Sequence, residues 1–223
     1  MGIQQALIDG QARASSLDGL FELLVDYDGD GAFNQYRDLD PELGVPGAPA
    51  IRRSNLRRYL ESFSSASYLL VGEAAGYAGC RFSGIPFTGE AQIVGPECLA
   101  WAQGLGLQQS SLGELWHERS GTIVWQAFDG RQDCALWNAF PWHPFDREPL
   151  SNRKPTQHEL DSAIPILRCI LSLFGPAQVF AIGRVSEAQL RKLDVRAPYI
   201  RHPSHGGKSR FVTSVQSLPR QQR

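Results

Sequence analysis

Apolar residues gather in four short runs along the chain: SYLLVG (67–72), DCALWNA (133–139), AQVFAIG (177–183) and VRAPYIR (195–201). Each run has the length of a strand and is bounded by Gly, Pro or Asn, which is typical of parallel strands buried on both faces. Helix-like spacing of apolar residues fills the intervals, at about 51–63, 89–105, 155–174 and 185–193. The alternation predicts an α/β fold, a three-layer α/β/α sandwich with a central four-stranded parallel sheet.

Polar and glycine-rich segments follow three of these predicted strands. They read GEAAGYAGCRFSGIPFTGE after the first strand, NAFPWHPF after the second and HPSHGG after the fourth. In parallel α/β sheets, ligands bind beyond the carboxyl ends of the strands. We therefore expect the functional site where these three segments meet.

Length and composition favour one domain over residues 1–223, with an acidic N-terminal flank at 1–50 and a core at 51–215. The chain has 223 residues, of which 42% are hydrophobic, enough for one sizeable core. The flank is rich in Gly, Pro and Asp and is predicted to be loosely ordered. The chain starts without a basic and apolar leader and has no 18-residue apolar run, so we expect a cytoplasmic protein without a membrane span.

Charge is distributed unevenly along the chain although the net charge is only -1. Residues 1–50 carry two basic and nine acidic side chains, whereas residues 184–223 carry nine basic and two acidic ones. A basic segment around HPSHGG is suited to phosphates, because affinity for DNA follows local rather than total charge. A monomer is the expected oligomeric state.

No motif in the chain indicates a metal or a cofactor. The four cysteines are widely separated and form no CxxC pair, so we expect free thiols, with Cys134 and Cys169 in the core. DYDGDGAF resembles the start of a calcium loop, but Arg37 stands where a bidentate Glu is required. GEAAG is not a dinucleotide fingerprint, because G-x-G-x-x-G fails at Ala74, and no GKS or GKT follows.

Three side chains in the predicted loops allow two interpretations each. Asn138 either caps the turn after its strand or presents a donor and an acceptor to the edge of a pyrimidine. Phe87 is either a core side chain or a stacking platform for a flat ring. His143, in WHP, is interpreted as a loop or packing residue.

The loops together resemble those of the uracil-DNA glycosylase superfamily. GEAAG is followed by Phe87 fifteen residues after Gly72, then by Asn138, and then by HPS from His202, over about residues 67–215. The first motif is most similar to the GEAPG loop of the iron–sulfur glycosylases, with Ala75 in place of the proline. Those enzymes carry a short N-terminal cysteine pair, which this chain lacks, so the expected cofactor is none.

The resemblance implies a DNA repair enzyme that flips uracil out of DNA and hydrolyses its N-glycosidic bond. His202 would donate to uracil O2, Phe87 would stack on the base and Asn138 would read its Watson–Crick edge. Glu73 is a second catalytic candidate, for orienting the water, although it also fits a plain loop residue. The implied base-binding loop is Gly72, Ala74 and Ala75, and the implied DNA-binding residues are Ser204, His205, Gly206, Gly207, Lys208 and Arg210.

The sequence departs from the family pattern at three positions. Ala74 stands at the place of the water-orienting Asp, and Gly76 at the place of the bulky residue that shuts out thymine. Gly206 stands where a Leu often fills the vacated base stack, so His205, Lys208 or Arg210 is expected to share that role, or single strands are handled well. The alternatives are a glycosylase for another deaminated or mismatched base, a uracil- or abasic-DNA binding protein without turnover, and a nucleoside or small-molecule hydrolase.

Overall fold

The structure is a computed structural model, which describes residues 16–220. Its main sheet consists of β2 (Tyr68–Ala74), β3 (Cys134–Phe140), β5 (Gln178–Ile182) and β6 (Tyr199–Ile200). The strands are all parallel and lie in the order β3-β2-β5-β6. Two further strands, β1 (Ala32–Phe33) and β4 (His143–Pro144), form a separate antiparallel pair. The predicted four-stranded parallel sheet is thereby confirmed.

Helices cover both faces of the sheet. They are α1 (Leu17–Asp26), α2 (Ala48–Ser62), α3 (Cys80–Ser83), α4 (Ala91–Val94), α5 (Arg119–Phe128), α6 (Gln157–Ser162), α7 (Ile164–Phe174), α8 (Arg184–Lys192) and α9 (Lys208–Gln216), with a 3₁₀ turn at Ala100–Ala102. Right-handed crossovers put α5 on one face and α6 to α8 on the other. In agreement, α9 packs against α5 and α1 against α7. The α/β/α sandwich is confirmed.

The strands differ from their predicted bounds at their carboxyl ends. β2 and β3 continue past 72 and 139, because Ala74 still pairs with Phe140. Gly72 and Asn138, expected at the edge of a loop, are therefore paired neighbours inside the sheet. β6 is reduced to Tyr199–Ile200, since Pro198 has no backbone N–H with which to extend the ladder.

Two predicted helices differ from the structure, and one helix that crosses back to the sheet was not predicted. Residues 89–105 contain only α4 and the 3₁₀ turn, because Gly95 and Pro96 interrupt the apolar pattern. Residues 155–174 form two helices, divided at Ala163 with Pro165 in the first turn of α7. α5 was not predicted at all. Nowhere in 16–220 is there a helix with the length and apolarity that crossing a membrane requires.

The N-terminal flank is not loosely ordered where the structure describes it. Leu20, Phe21 and Leu24 of α1 and the ring of Tyr36 are buried in the same core as the strands of the main sheet. The amphipathic spacing of LDGLFELL, with Ser16 capping Gly19 N–H, explains why this segment folds. Residues 1–15 of the predicted flank lie outside the described residues, and one domain over 1–223 stays a prediction.

Candidate active site

A cleft of about 440 Å³ opens at the carboxyl ends of the parallel strands. Seven of the side chains and backbone positions expected to bind or act on a ligand line it: Glu73, Ala74, Ala75, Phe87, His202, Ser204 and His205. A larger surface depression lies along α1 and is lined by none of them. We therefore locate the site in the smaller cleft, where the predicted loops meet.

Gly72 is the position around which Phe87 and Asn138 come together. A Cβ on Gly72 would lie 2.3 Å from the Phe87 ring and 2.9 Å from Oδ1 of Asn138. Only glycine leaves room for both side chains here. Phe87 itself has a φ of 55°, an uncommon value for a bulky residue, so the surrounding packing holds its ring in place.

The amide of Asn138 is buried beneath the cleft surface. The residue is 2% exposed, and its Oδ1 accepts no hydrogen bond from residues 16–220. A capping role for the side chain is not seen, because Asn138 lies within β3. An unsatisfied buried amide oxygen costs about 1–3 kcal/mol. The amide is thus free to hydrogen-bond a ligand that reaches it beside Phe87.

His202 is held in one tautomer by the residue two positions later. The backbone N–H of Ser204 donates to Nδ1 of His202 at 3.2 Å, and Oγ of Ser204 lies 2.7 Å from the same nitrogen. Since Nδ1 accepts, the proton of the neutral ring is on Nε2. Burial lowers the pKa of His202 to about 4, and the nearby charges of His205 and Arg201 act in the same direction. At neutral pH, Nε2–H is an uncharged donor.

Phe87 and His202 face each other across the cleft. Their ring centroids are 6.2 Å apart, and the planes are inclined by 35°. Phe87 is 5% exposed, so it is both a core side chain and part of the cleft wall. The pair offers one flat apolar surface and one hydrogen-bond donor.

Glu73 lies half-buried at the end of β2, on the wall of the cleft. Burial raises the pKa of its carboxyl, and the positive charge of Lys154 opposes part of that rise. Lys154 lines the same cleft. The arrangement puts a basic carboxylate within the site, at the edge that the first motif supplies.

A second, open depression of about 790 Å³ continues along the basic C-terminal segment. Gly206 and Arg210 line it, as do Arg184 and Arg201, which also line the cleft. Lys208 is exposed at the start of α9, whereas Gly207 is buried. A strip of positive charge therefore runs from the cleft onto α9, as phosphate binding requires.

The segment 145–154 is fastened to the site by His143. Nη1 of Arg81 lies 3.1 Å from Nδ1 of His143, whose Nε2 is 2.7 Å from the Ser151 carbonyl. Burial and the charge of Arg81 lower the pKa of His143 to about 4, so the ring is neutral. Asn152 in turn accepts from the Tyr77 backbone N–H. His143 is a packing residue, as predicted.

The cysteines do not gather as ligands of an iron–sulfur cluster would. Cys80, Cys134 and Cys169 are buried thiols and Cys98 is half-buried. In the part of the chain that the structure describes, no three His, Cys, Asp or Glu side chains are placed to share a metal ion. Asp26 is the last residue of α1, and Asp28 and Asp30 follow it in the segment before β1. The residues present do not fit the cluster of the GEAPG-type enzymes.

Comparison with known proteins agrees with this geometry. The family model "Uracil DNA glycosylase superfamily" matches residues 61–218. The chain belongs to the uracil-DNA glycosylase superfamily. As a member of that superfamily it is a DNA glycosylase.

A solved structure, "The crystal structure of WT Pedobacter heparinus SMUG2", has the same fold. It superimposes with a TM-score of 0.59 at 16% identity, covering 90% of this chain and 95% of that one. No curated protein sequence matches the chain significantly. At this identity the likeness concerns the fold.

Several residues that line this cleft could not be assigned to it from the sequence. Arg184, Arg201 and Tyr199 line the cleft, with Arg184 stacked 4.1 Å from the Tyr199 ring centroid. Glu118, which precedes α5, also lines it. The basic composition of 184–223 was a usable signal for the arginines. Nothing in HERSG marks Glu118, because only tertiary packing brings it to the first motif.

Proposed function

We propose that this chain releases uracil from DNA by hydrolysing the bond between uracil N1 and C1′ of deoxyribose. The observation that carries the proposal is that Phe87 lies beside Asn138 at Gly72 and faces the neutral ring of His202. A flat ring, an unsatisfied amide and an uncharged donor are complementary to the face, the Watson–Crick edge and the O2 of uracil.

The target base has to leave the duplex stack to reach this cleft. Flipping costs a few kcal/mol, which contacts in the pocket have to offset. In the proposed complex the base lies against Phe87, and the Asn138 amide donates to O4 and accepts from N3–H. Cytosine presents an acceptor at N3 and a donor at position 4, so the same amide orientation mismatches it.

Bond cleavage depends on stabilising the departing base. As the C1′–N1 bond breaks, its electron pair stays on the base, and negative charge develops on O2. Nε2–H of His202 donates to that oxygen. Because the ring is neutral before reaction, this hydrogen bond strengthens as the charge develops, which favours the transition state over the bound substrate.

Water completes the reaction at C1′. The water oxygen bonds to C1′, one of its protons passes to Glu73, and the released base takes up a proton from solvent. The raised pKa of Glu73 makes its carboxylate a better base than an exposed one. Glu73 thus takes the place that Ala74 leaves without a carboxylate. Glu73→Gln is expected to slow release, and near-full activity would remove this role.

Contacts to the DNA backbone come from the strip beside the cleft. Among the cations there, Arg201 lines both the cleft and the strip, Arg210 lines the strip and Lys154 lines the cleft. His205 and Gly206 are exposed at the rim, where one of them can face the gap left by the flipped base. We propose that the cations bind the phosphates that flank the target nucleotide.

The test is the formation of alkali-labile abasic sites in end-labelled oligonucleotides with one uracil, single-stranded or paired with G or A. Wild type is expected to release uracil and leave abasic sites. In His202→Ala and Asn138→Ala the rate of uracil release is expected to fall at least about 100-fold, the scale of a lost transition-state donor. Gln126→Ala, at an exposed position of α5 that lines neither the cleft nor the basic depression, is the control. Binding without cleavage by wild type would make the protein a lesion binder instead.

A further inference from the structure

Glu118 places a carboxyl group against the first motif loop. A Cβ on Gly79 would lie 1.7 Å from a carboxyl oxygen of Glu118, and one on Gly76 would lie 3.8 Å from the other. The space above both glycines is therefore filled by a side chain from another part of the chain. The next turn of the same segment abuts Phe87, since a Cβ on Gly121 would lie 2.1 Å from the Phe87 carbonyl oxygen.

The fold makes little use of this carboxyl. Oε2 is shielded from solvent and has no hydrogen-bond partner within residues 16–220. The side chain does not cap α5, although Glu118 occupies its N-cap position. Burial raises the pKa of Glu118 to about 7, which the Cys80 backbone N–H opposes only in part. A polar group buried at a cost, on the wall of a cleft, is a candidate for contact with a ligand.

Strand order places Glu118 across the cleft from His202. His202 follows β6 at one edge of the sheet, whereas Glu118 precedes α5, which leads into β3 at the other edge. In a pyrimidine, C2 and C5 are opposite atoms of the ring. A base that turns O2 toward His202 thus turns C5 toward the wall of Gly76 and Glu118.

We propose that Glu118 determines the specificity of this site by closing the wall that C5 of the flipped base faces. The substrate class is then pyrimidines that carry only hydrogen at C5, and the 5-methyl group of thymine is excluded. A methyl group pressed against the carboxyl would overlap it and would remove its remaining access to water. This inference rests on the proposed release of uracil.

The experiment compares single-turnover release of uracil and of thymine, each opposite G, by wild type, Glu118→Ala and Glu118→Gln. Glu118→Ala is expected to reduce the uracil-to-thymine rate ratio at least about 10-fold, the lower range for one methyl group in a pocket. Glu118→Gln fills the same volume and is expected to keep the wild-type ratio. Glu114→Ala, an exposed position on the same segment, is the control.

Each other outcome counts against the inference. An unchanged ratio in Glu118→Ala, or loss of uracil release in both variants, would show that Glu118 does not act as a wall. Absence of uracil release by wild type would overturn the proposed function itself, and with it this inference. Thermal unfolding at pH 8 checks the folding of both variants, which are expected to be at least as stable as wild type because a carboxylate with one shielded, unbonded oxygen is removed.

Discussion

Under the proposed function, Asn138 and His202 serve the site rather than the fold. Asn138 buries an amide oxygen that no residue among 16–220 satisfies, within a strand where an apolar residue would pack without that cost. His202 holds a partly buried, neutral imidazole although solvent would protonate it below its ordinary pKa. Both costs are offset only if a ligand takes up the hydrogen bonds that remain free.

The neutrality of His202 gives a prediction at the residue scale. Its folded-state pKa of about 4 lies below the ordinary value of 6.5, so the unfolded chain binds the proton first. The contribution of this ring to stability is present above pH 6.5 and is lost as the pH falls toward 4. NMR titration of the ring in the full chain, assigned with His202→Ala, is expected to show no protonation down to about pH 5. A midpoint near 6.5 would contradict the burial of a neutral donor.

Much of the site could be predicted from single residues, and the reason is local. Phe87 and His202 follow strands and Asn138 lies near the end of β3, each within a short motif, so their order in the sequence is kept in the fold. Glu118 could not be found this way, because it precedes α5 and only packing brings it to the cleft. Gly76 shows the same limit. It has no side chain, and the carboxyl group of Glu118, which is distant in the sequence, lies above it.

At the scale of elements, the buried cluster of Asp40, Arg81 and His143 joins the N-terminal region to the site. Nη2 of Arg81 donates to Asp40 at 2.8 Å, and the guanidinium lies 3.8 Å from the centroid of the Phe33 ring. Asp40 also accepts from the backbone N–H groups of Glu42 and Leu43. Burial raises the pKa of Asp40, but these hydrogen bonds lower it by more. The pKa of Asp40 therefore lies below its usual value. The cluster holds β4, and thereby the segment 145–154.

Breaking this cluster is expected to be far more costly than breaking a surface pair. Asp40→Ala leaves the Arg81 guanidinium, 2% exposed, without its carboxylate, which costs about 3–5 kcal/mol. Asp18→Ala removes a carboxylate that is 83% exposed in its pair with Arg57, and about 1 kcal/mol or less is expected. Urea unfolding of both variants gives the comparison. Equal losses would show that Asp40 is not required to compensate Arg81.

The helices show why elements are harder to predict than strands in this chain. RSGTIVWQAF contains Gly and a β-branched run, which favour other structures, yet it forms α5 because Val124, Trp125 and Phe128 are buried in the core. The four strands were predictable, since an apolar run of strand length is distinctive when both faces of a sheet are covered. α1 was missed because the acidic composition of its region outweighed the spacing of its leucines.

At the scale of the whole molecule, charge is separated between two regions of an almost neutral chain. Acidic residues dominate 1–50, while the strip from the cleft to α9 is basic. The strip continues the cleft instead of lying apart from it, because Arg184 and Arg201 belong to both. A DNA strand bound there would leave one nucleotide at the opening of the cleft.

Salt dependence tests that surface. The affinity for a uracil-free oligonucleotide, measured by fluorescence anisotropy from 50 to 300 mM salt, is expected to fall steeply as counterions are released. Arg210→Gln is expected to reduce the slope of log affinity against log salt by about 0.7–0.9, the effect of one lost phosphate contact. Arg168→Gln, exposed on α7, is the matched control and leaves the slope unchanged. Equal slopes in all three proteins would show that Arg210 makes no phosphate contact and that DNA binds to another surface.

The most direct measurement is chromatographic detection of the free base released from oligonucleotides that carry one uracil, cytosine, thymine or hypoxanthine. The convergence of Phe87, Asn138 and His202 predicts that uracil appears in stoichiometric amounts with an abasic strand, and that cytosine does not appear. Release of hypoxanthine without uracil would contradict the assignment of the pocket to a pyrimidine edge. Intact oligonucleotides throughout would contradict the account of this cleft as a uracil-releasing active site.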